Sequence, residues 1–148
     1  MALVPSLPLT GRCLCGAVRY EIDEPLGSAS YCHCTRCQRR TGTAASASAR
    51  IAPGSLRVVS GGGVIRCWEP EDGWAKCFCS LCGGALWSRD PHDPQVLSIR
   101  LGTLDGDPGI RPGYRQFVAY AAPWEQIPDD GLPRFPEGRS DHVHGVPA

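Results

Sequence analysis

The sequence predicts an all-β domain built from short strands, and three observations support this prediction. Turn signals recur about every ten residues, and the chain contains 18 glycines and 14 prolines. Apolar residues follow almost no helical period. At 148 residues, with 42% hydrophobic and 20% charged residues, the chain is long enough to bury one core, so we expect a single domain.

Glycines divide the chain into its predicted elements. Gly16 permits a tight knuckle between the two strands of residues 11–22, and Gly42 ends a helical turn over 35–41. The run Gly61-Gly62-Gly63 separates two further strands. We expect the domain to cover 11–137, after a leader at 1–10 and before a flexible tail at 138–148. The other predicted strands are 30–34, 44–51, 56–60, 64–68, 74–79, 85–88, 96–102 and 117–121.

The nine cysteines are many for this length, and seven of them form three closely spaced motifs. A disulfide framework is the alternative interpretation, but the count is odd and no signal peptide with a basic start is visible. Such spacings are typical of metal sites in intracellular proteins, so we expect a cytoplasmic zinc protein. The motifs are Cys13-x-Cys15, Cys32-x-Cys34-x-x-Cys37 and Cys79-x-x-Cys82.

The run from Cys32 to Cys37 predicts an incomplete zinc site. On an extended backbone Cys32 and Cys34 point to the same face, and Cys37 folds back over it from a turn. The run supplies three corners of a tetrahedron and no fourth ligand. A zinc with three protein ligands and one open position is typical of a reactive site. His33 should point away from the metal, although direct ligation stays possible.

The other two motifs predict a closed, structural zinc site with four thiolates. We expect Cys13 and Cys15 to meet Cys79 and Cys82, so that the metal clamps distant parts of the chain together. Cys77 shares a strand face with Cys79 and is the alternative ligand. Only Cys79 completes the Cys-x-x-Cys-Gly pattern of a zinc knuckle.

Cys67 and Cys77 remain outside this assignment. We expect them to sit opposite each other across a hairpin as reduced packing thiols, which is the usual state in a reducing compartment. A redox pair is the alternative.

Arg36, Arg39 and Arg40 crowd the turn beside the three-thiol motif. They form either a solvated basic face or a guanidinium cluster that captures a carboxylate-bearing ligand, because arginine pairs with carboxylates in bidentate fashion.

The formal net charge is zero, and no apolar stretch reaches membrane-spanning length. We therefore expect binding neither to nucleic acid nor to a membrane.

The three cysteine motifs resemble those of a known family, the glutathione-dependent formaldehyde-activating enzymes, also called the GFA or CENP-V/GFA domain family. The resemblance covers the chain from Gly11 to about Glu137. The strongest matching segments are 11–21, 32–39 and 78–83, and weaker similarities occur at 101–105, 122–124 and 132–136.

The resemblance implies an Mss4-like fold of small antiparallel sheets joined by zinc knuckles. It also implies a structural zinc on the four-Cys set and a second, catalytic zinc on Cys32, Cys34 and Cys37 that faces glutathione. The implied activity is that of S-(hydroxymethyl)glutathione synthase, a carbon-sulfur lyase in the reverse direction that acts on a thiol and an aldehyde. The chain departs from the family at Arg115, where histidine is frequent, and this difference bears on which thiol is bound.

Two other functions compete with the enzyme hypothesis. One is a non-catalytic zinc-binding module that carries a thiol ligand or docks a protein partner, since a fold alone does not fix a function. The other is a redox switch in which Cys34 and Cys37 form a disulfide when metal is absent.

Overall fold

The computed structural model describes residues 5–139 and confirms the predicted all-β class. This part of the chain contains ten strands, three 3₁₀ turns and a single α-helix, α1 (Thr35–Thr41). The 3₁₀ turns are Gly62–Val64, Leu101–Thr103 and Val118–Tyr120. The strands are β1 (Leu9–Arg12), β2 (Arg19–Ile22), β3 (Ala29–Cys32), β4 (Ser46–Arg50), β5 (Leu56–Ser60), β6 (Ile65–Trp68), β7 (Ala75–Cys79), β8 (Ala85–Arg89), β9 (Leu97–Arg100) and β10 (Arg115–Gln116).

The strands form two sheets. Strands β1, β2 and β5 make a three-stranded antiparallel sheet in the order β1-β2-β5. The remaining strands make a seven-stranded sheet in the order β10-β3-β4-β9-β8-β7-β6, in which only the β10–β3 pair is parallel. Most neighbours in the larger sheet follow each other closely in sequence, as expected for antiparallel strands joined by short turns.

One apolar core joins the two sheets. Tyr20 and Ile22 of β2 pack in the same buried cluster as Trp87 of β8 and Ile99 of β9. The Tyr20 and Trp87 rings meet edge to face, with their centroids 5.8 Å apart. Gly11 allows this packing, because a Cβ atom there would lie 2.3 Å from the Tyr20 ring. The larger sheet is thereby fixed against the smaller one.

Helix α1 lies where the sequence predicts it. Cys34 caps its start with an extended backbone, and its sulfur accepts a hydrogen bond from the Cys37 N–H at 3.3 Å. Gly42 ends the helix in the left-handed conformation, with φ 69°, and donates its N–H to the Gln38 carbonyl. Cys37 is the buried residue of the helix.

The predicted strand at 117–121 is wrong. Strand β10 ends at Gln116, and Phe117 adopts a left-handed backbone with φ 56° that turns the chain into a 3₁₀ turn. The N–H groups of Phe117 and Val118 bond to carbonyls in the segment 135–137. This segment, distant in sequence, replaces the sheet neighbour that a strand would need.

The expectation that Cys67 and Cys77 are reduced is also wrong, because they form a disulfide. They face each other across the β6–β7 hairpin, as predicted, and their Cα atoms are 4.1 Å apart. This register brings the two sulfurs within bonding reach. Cys77 is fully buried in the core.

The ends of the predicted domain are described only in part. Strand β1 begins at Leu9, inside the predicted leader. The predicted flexible tail at 138–148 lies outside the described residues, except for its first two positions. Within 5–139, no helix has the length and apolar character needed to cross a bilayer.

Candidate metal centres

The structure brings the three thiols of the Cys32 to Cys37 run together. Cys32 is the last residue of β3, Cys34 caps α1, and Cys37 lies in its first turn. Their sulfur atoms all lie within 4.8 Å of one another, and all three residues are buried. Among the described residues, no fourth side chain of a metal-binding type joins this group. We call it the three-Cys cluster.

The surroundings of the three-Cys cluster favour a thiolate. The pKa of Cys37 is lowered by hydrogen bonds from the Cys32 and Cys34 thiols, and the Arg100 guanidinium lowers it further. The same thiol contacts raise the pKa of Cys32. The neighbouring thiols and the Arg100 guanidinium therefore favour the thiolate form of Cys37, with its pKa below the ordinary value.

A second group, the four-Cys cluster, links the two sheets. Cys13 and Cys15 lie in the β1–β2 turn, and Cys79 and Cys82 lie at the β7–β8 turn. All four sulfurs lie within 4.8 Å of one another. Although burial raises it, the pKa of Cys13 falls to about 6 because the Val18 N–H and the neighbouring thiols bond to its sulfur.

Both clusters fit a tetrahedral thiolate site. Zinc–sulfur bonds of about 2.3 Å place ligand sulfurs roughly 3.8 Å apart. In the four-Cys cluster the Cys13–Cys15 and Cys15–Cys79 sulfur distances are 3.6 Å and 3.9 Å. Backbone N–H groups donate to the Cys13 sulfur at 3.3 Å and to the Cys82 sulfur at 3.4 Å. Each cluster could therefore hold a metal ion, and the four-Cys cluster could do so without an added ligand.

His33 points away from the three-Cys cluster. Its ring nitrogen Nε2 lies 3.3 Å from the guanidinium of Arg115, which pairs with Asp130 at 2.7 Å and covers the Tyr31 ring. Burial lowers the pKa of His33, and Arg115 lowers it further, so the ring is neutral. Arg115 pairs in register with Tyr31 and thus lies on the strand face opposite to Cys32.

A cavity of about 480 Å³ opens between α1 and the β6–β8 strands. The predicted arginine cluster borders it, but its members are not equivalent. Arg40 donates to the carbonyls of Cys77 and Trp87 at 2.8 Å and 3.2 Å, and to the Ser88 hydroxyl at 3.0 Å. Arg36 pairs with Asp72, and Arg39 is exposed. The lining residues are Arg36, Arg39, Arg40, Trp68, Lys76, Phe78, Gly83 and Ala85.

Two buried cations beside the three-Cys cluster were not predicted from the sequence, Lys76 of β7 and Arg100 of β9. They are 5% and 7% exposed, and both interact electrostatically with Cys37. The sequence does single out Lys76 in one respect, because it is the only lysine among 15 basic residues. Arg100 carries no comparable mark in the sequence.

The comparison with protein families agrees with this geometry. A family model described as "Glutathione-dependent formaldehyde-activating enzyme" matches residues 8–120. The chain belongs to this family. The match includes all seven cysteines of the two clusters and both walls of the cavity.

Two relatives extend the match beyond the cysteines. A Halomonas elongata protein named "Putative glutathione-dependent formaldehyde-activating enzyme" is 30% identical over 105 residues, which cover 67% of each chain. The crystal structure of a Rhodobacter sphaeroides protein superposes with a TM-score of 0.56 at 27% identity. The superposition covers 66% of this chain and 89% of the Rhodobacter sphaeroides chain. This likeness supports the fold assigned to the GFA chain described here.

Proposed function

We propose that this protein joins a thiol such as glutathione to a small aldehyde such as formaldehyde, in the manner of S-(hydroxymethyl)glutathione synthase. A sulfur–carbon bond forms, the carbonyl π bond is lost, and the thiol proton ends on the oxygen. The reverse reaction is that of a carbon-sulfur lyase. The observation that supports this proposal is a three-thiol cluster with no fourth protein donor among the described residues, in a member of the GFA family.

We propose zinc for both clusters, because it is the metal that all-cysteine tetrahedral sites typically hold. Zinc at the three-Cys cluster, when bound, would supply an open coordination position and stabilise a thiolate at neutral pH. Cys32, Cys34 and Cys37 would hold it. All three of these residues are buried.

The cavity is the proposed place for the rest of the thiol substrate. Arg39 borders it and can pair with a carboxylate, Arg36 is already paired with Asp72, and Arg40 is held by backbone carbonyls and shapes the wall. Holding the thiol by its distant charged groups fixes the sulfur near the aldehyde, and such positioning supplies much of the rate gain in two-substrate reactions.

Replacing Cys34 with Ser tests the proposal. Serine is also a good N-cap, so α1 should keep its start while the three-Cys cluster loses one ligand. We expect zinc content to fall from about two per chain to about one. Glutathione-dependent formaldehyde consumption should fall more than about 100-fold. Mutating a residue that merely supports a metal ligand already lowers metal affinity or activity by about 10- to 100-fold, and here a ligand itself is lost.

The double variant Cys67→Ala with Cys77→Ala is the control, since it removes two cysteines from outside both clusters. It should keep both zinc ions and the glutathione-dependent activity. Wild-type zinc content and turnover in Cys34→Ser would contradict the proposal. One zinc per wild-type chain, with no heat on titration of glutathione, would instead favour a non-catalytic module.

A further inference from the structure

The cavity beside α1 has apolar walls and a cationic rim. Trp68 and Phe78 supply aromatic surface on the side of β6 and β7, and the arginines of α1 lie across from them. At about 480 Å³ it falls in the usual range of sites for small ligands. Its few charged groups therefore decide which ligand it accepts.

Two of these cations already have partners. Arg36 donates to the Asp72 backbone carbonyl at 3.2 Å, pairs with its carboxylate, and lies over the Trp68 ring. Arg40 is held by two carbonyls and a hydroxyl. By contrast, Arg39 makes no hydrogen bond or ion pair within residues 5–139.

Lys76 is the exceptional cation of the cavity. It is 5% exposed, it borders the cavity, and its Nζ has no hydrogen-bond partner among the described residues. A buried ammonium without a hydrogen-bond partner is costly, so a ligand group in the cavity is expected to supply one. Burial lowers the pKa of Lys76 to about 8, which leaves the amine charged at neutral pH.

The three-Cys cluster is likewise surrounded by positive charge that needs an anionic partner. Three cations that are wholly or partly buried, Arg40, Lys76 and Arg100, interact electrostatically with Cys37. Three thiolates with one divalent zinc would carry a single negative charge. A bound thiolate and one carboxylate would add two more and balance the three cations.

We propose that Lys76 receives a carboxylate of the thiol substrate, with Arg39 as the second free cation at the cavity rim. Trp68 and Phe78 would cover the aliphatic part of the same molecule. This inference rests on the proposed function and identifies the residue that determines its specificity. With Lys76 in this role, the protein selects thiols that carry a carboxylate a few bonds from the sulfur. Lys76 is a binding residue here, because its charge is attracted to the substrate and takes no part in bond formation.

The test compares two probes that lack a free thiol, S-methylglutathione and its diethyl ester. In zinc-loaded Lys76→Gln, calorimetry should show that S-methylglutathione binds at least about tenfold more weakly than to wild type, because one partner of a buried charge pair is lost. The ester carries no carboxylate, so the same substitution should change its affinity by less than about twofold. Arg66→Gln is the matched control, since it removes an exposed charge of β6 outside the cavity lining.

A second measurement needs no variant. Because Lys76 is the only lysine of the chain, lysine labelled with ¹³C at Cε gives one side-chain signal in the NMR spectrum. We expect S-methylglutathione to shift this signal and the diester to leave it in place. Lys76→Met, which keeps an apolar stem of similar length, should repeat the binding result of Lys76→Gln.

The outcomes separate the inference from the function on which it rests. Unchanged S-methylglutathione binding in Lys76→Gln, or an unmoved lysine signal, would overturn the role of Lys76 while wild-type turnover remained. Loss of zinc in Lys76→Gln would also overturn it, since Lys76 would then act through the metal cluster. A wild-type protein that neither binds nor consumes glutathione with formaldehyde would refute the proposed function itself.

Discussion

At the residue scale, Arg40 is a structural group although it lies beside a candidate active site. The β7–β8 ladder is irregular between Cys77 and Phe78, and Arg40 donates to the carbonyls of Cys77 and its cross-strand partner Trp87. A bulge leaves backbone carbonyls without a partner on the neighbouring strand, and the guanidinium donates the missing hydrogen bonds. Its removal therefore affects the sheet before it affects the cavity.

We predict that Arg40→Met lowers the free energy of unfolding by about 3 kcal/mol, because two partly buried carbonyls lose a charged donor. Arg39→Met should change it by less than about 0.5 kcal/mol, since Arg39 is exposed and makes no polar contact with the described residues. Urea unfolding of the zinc-loaded proteins measures both values. Equal midpoints for the two variants would show that Arg40 does not support the bulge.

The sequence could predict the cysteine clusters but not these distinctions among cations. Spacing on a strand and a turn is enough to bring Cys32, Cys34 and Cys37 together, because local geometry decides it. Arg39 and Arg40 are neighbouring residues of the same type. Their roles differ because Arg40 bonds to carbonyls of β7 and β8, which are distant in sequence. Lys76 and Arg100 reach the cluster by the same long-range packing.

At the scale of elements, the C-terminal end of helix α1 depends on a single glycine. Gly42 has φ 69°, and a Cβ atom placed there meets no atom within 4 Å. The cost of a side chain at this position is therefore backbone strain alone.

We predict that Gly42→Ala lowers the free energy of unfolding by about 1 kcal/mol. Gly102→Ala is the control, because Gly102 also has open space around it and its φ is not positive. That variant should change stability by less than about 0.5 kcal/mol. Chemical denaturation measures both, and a cost at Gly102 equal to that at Gly42 would contradict the role of the left-handed cap.

The elements that could be predicted are those whose cause is local. The C-terminal end of α1 follows from Gly42, and the β6–β7 hairpin follows from alternating residues around a loop. The turn after β10 could not be predicted, because its partners lie at 135–137. For Cys67 and Cys77 the pairing was predictable, whereas the bond depends on their 4.1 Å separation in the folded hairpin.

At the scale of the whole molecule, the four-Cys cluster joins two sheets. It takes one pair of thiols from the β1–β2 turn and the other from the β7–β8 turn. Metal bound there would cross-link parts of the chain 64 residues apart, so that binding free energy becomes folding free energy. The three-Cys cluster, by contrast, uses neighbouring residues of β3 and α1.

We therefore predict that Cys15→Ser lowers the melting temperature by at least about 10 °C, which corresponds to several kcal/mol for a chain of this size. Cys15 is exposed, so the substitution removes nothing from the core and acts through the metal alone. Cys34→Ser should lower the melting temperature by less than half as much, because its cluster closes a short loop. Thermal unfolding followed by circular dichroism, with zinc content measured in parallel, checks both values.

A chelator distinguishes metal loss from any other effect of Cys15→Ser. When zinc is removed from both proteins, their melting temperatures should converge, because serine and a free exposed thiol then stabilise the fold equally little. If the difference between wild type and Cys15→Ser persisted after chelation, the thiol itself would stabilise the fold. The four-Cys cluster would then not be the metal clamp between the sheets, and the stability of the molecule would rest on the shared core around Tyr20 and Trp87.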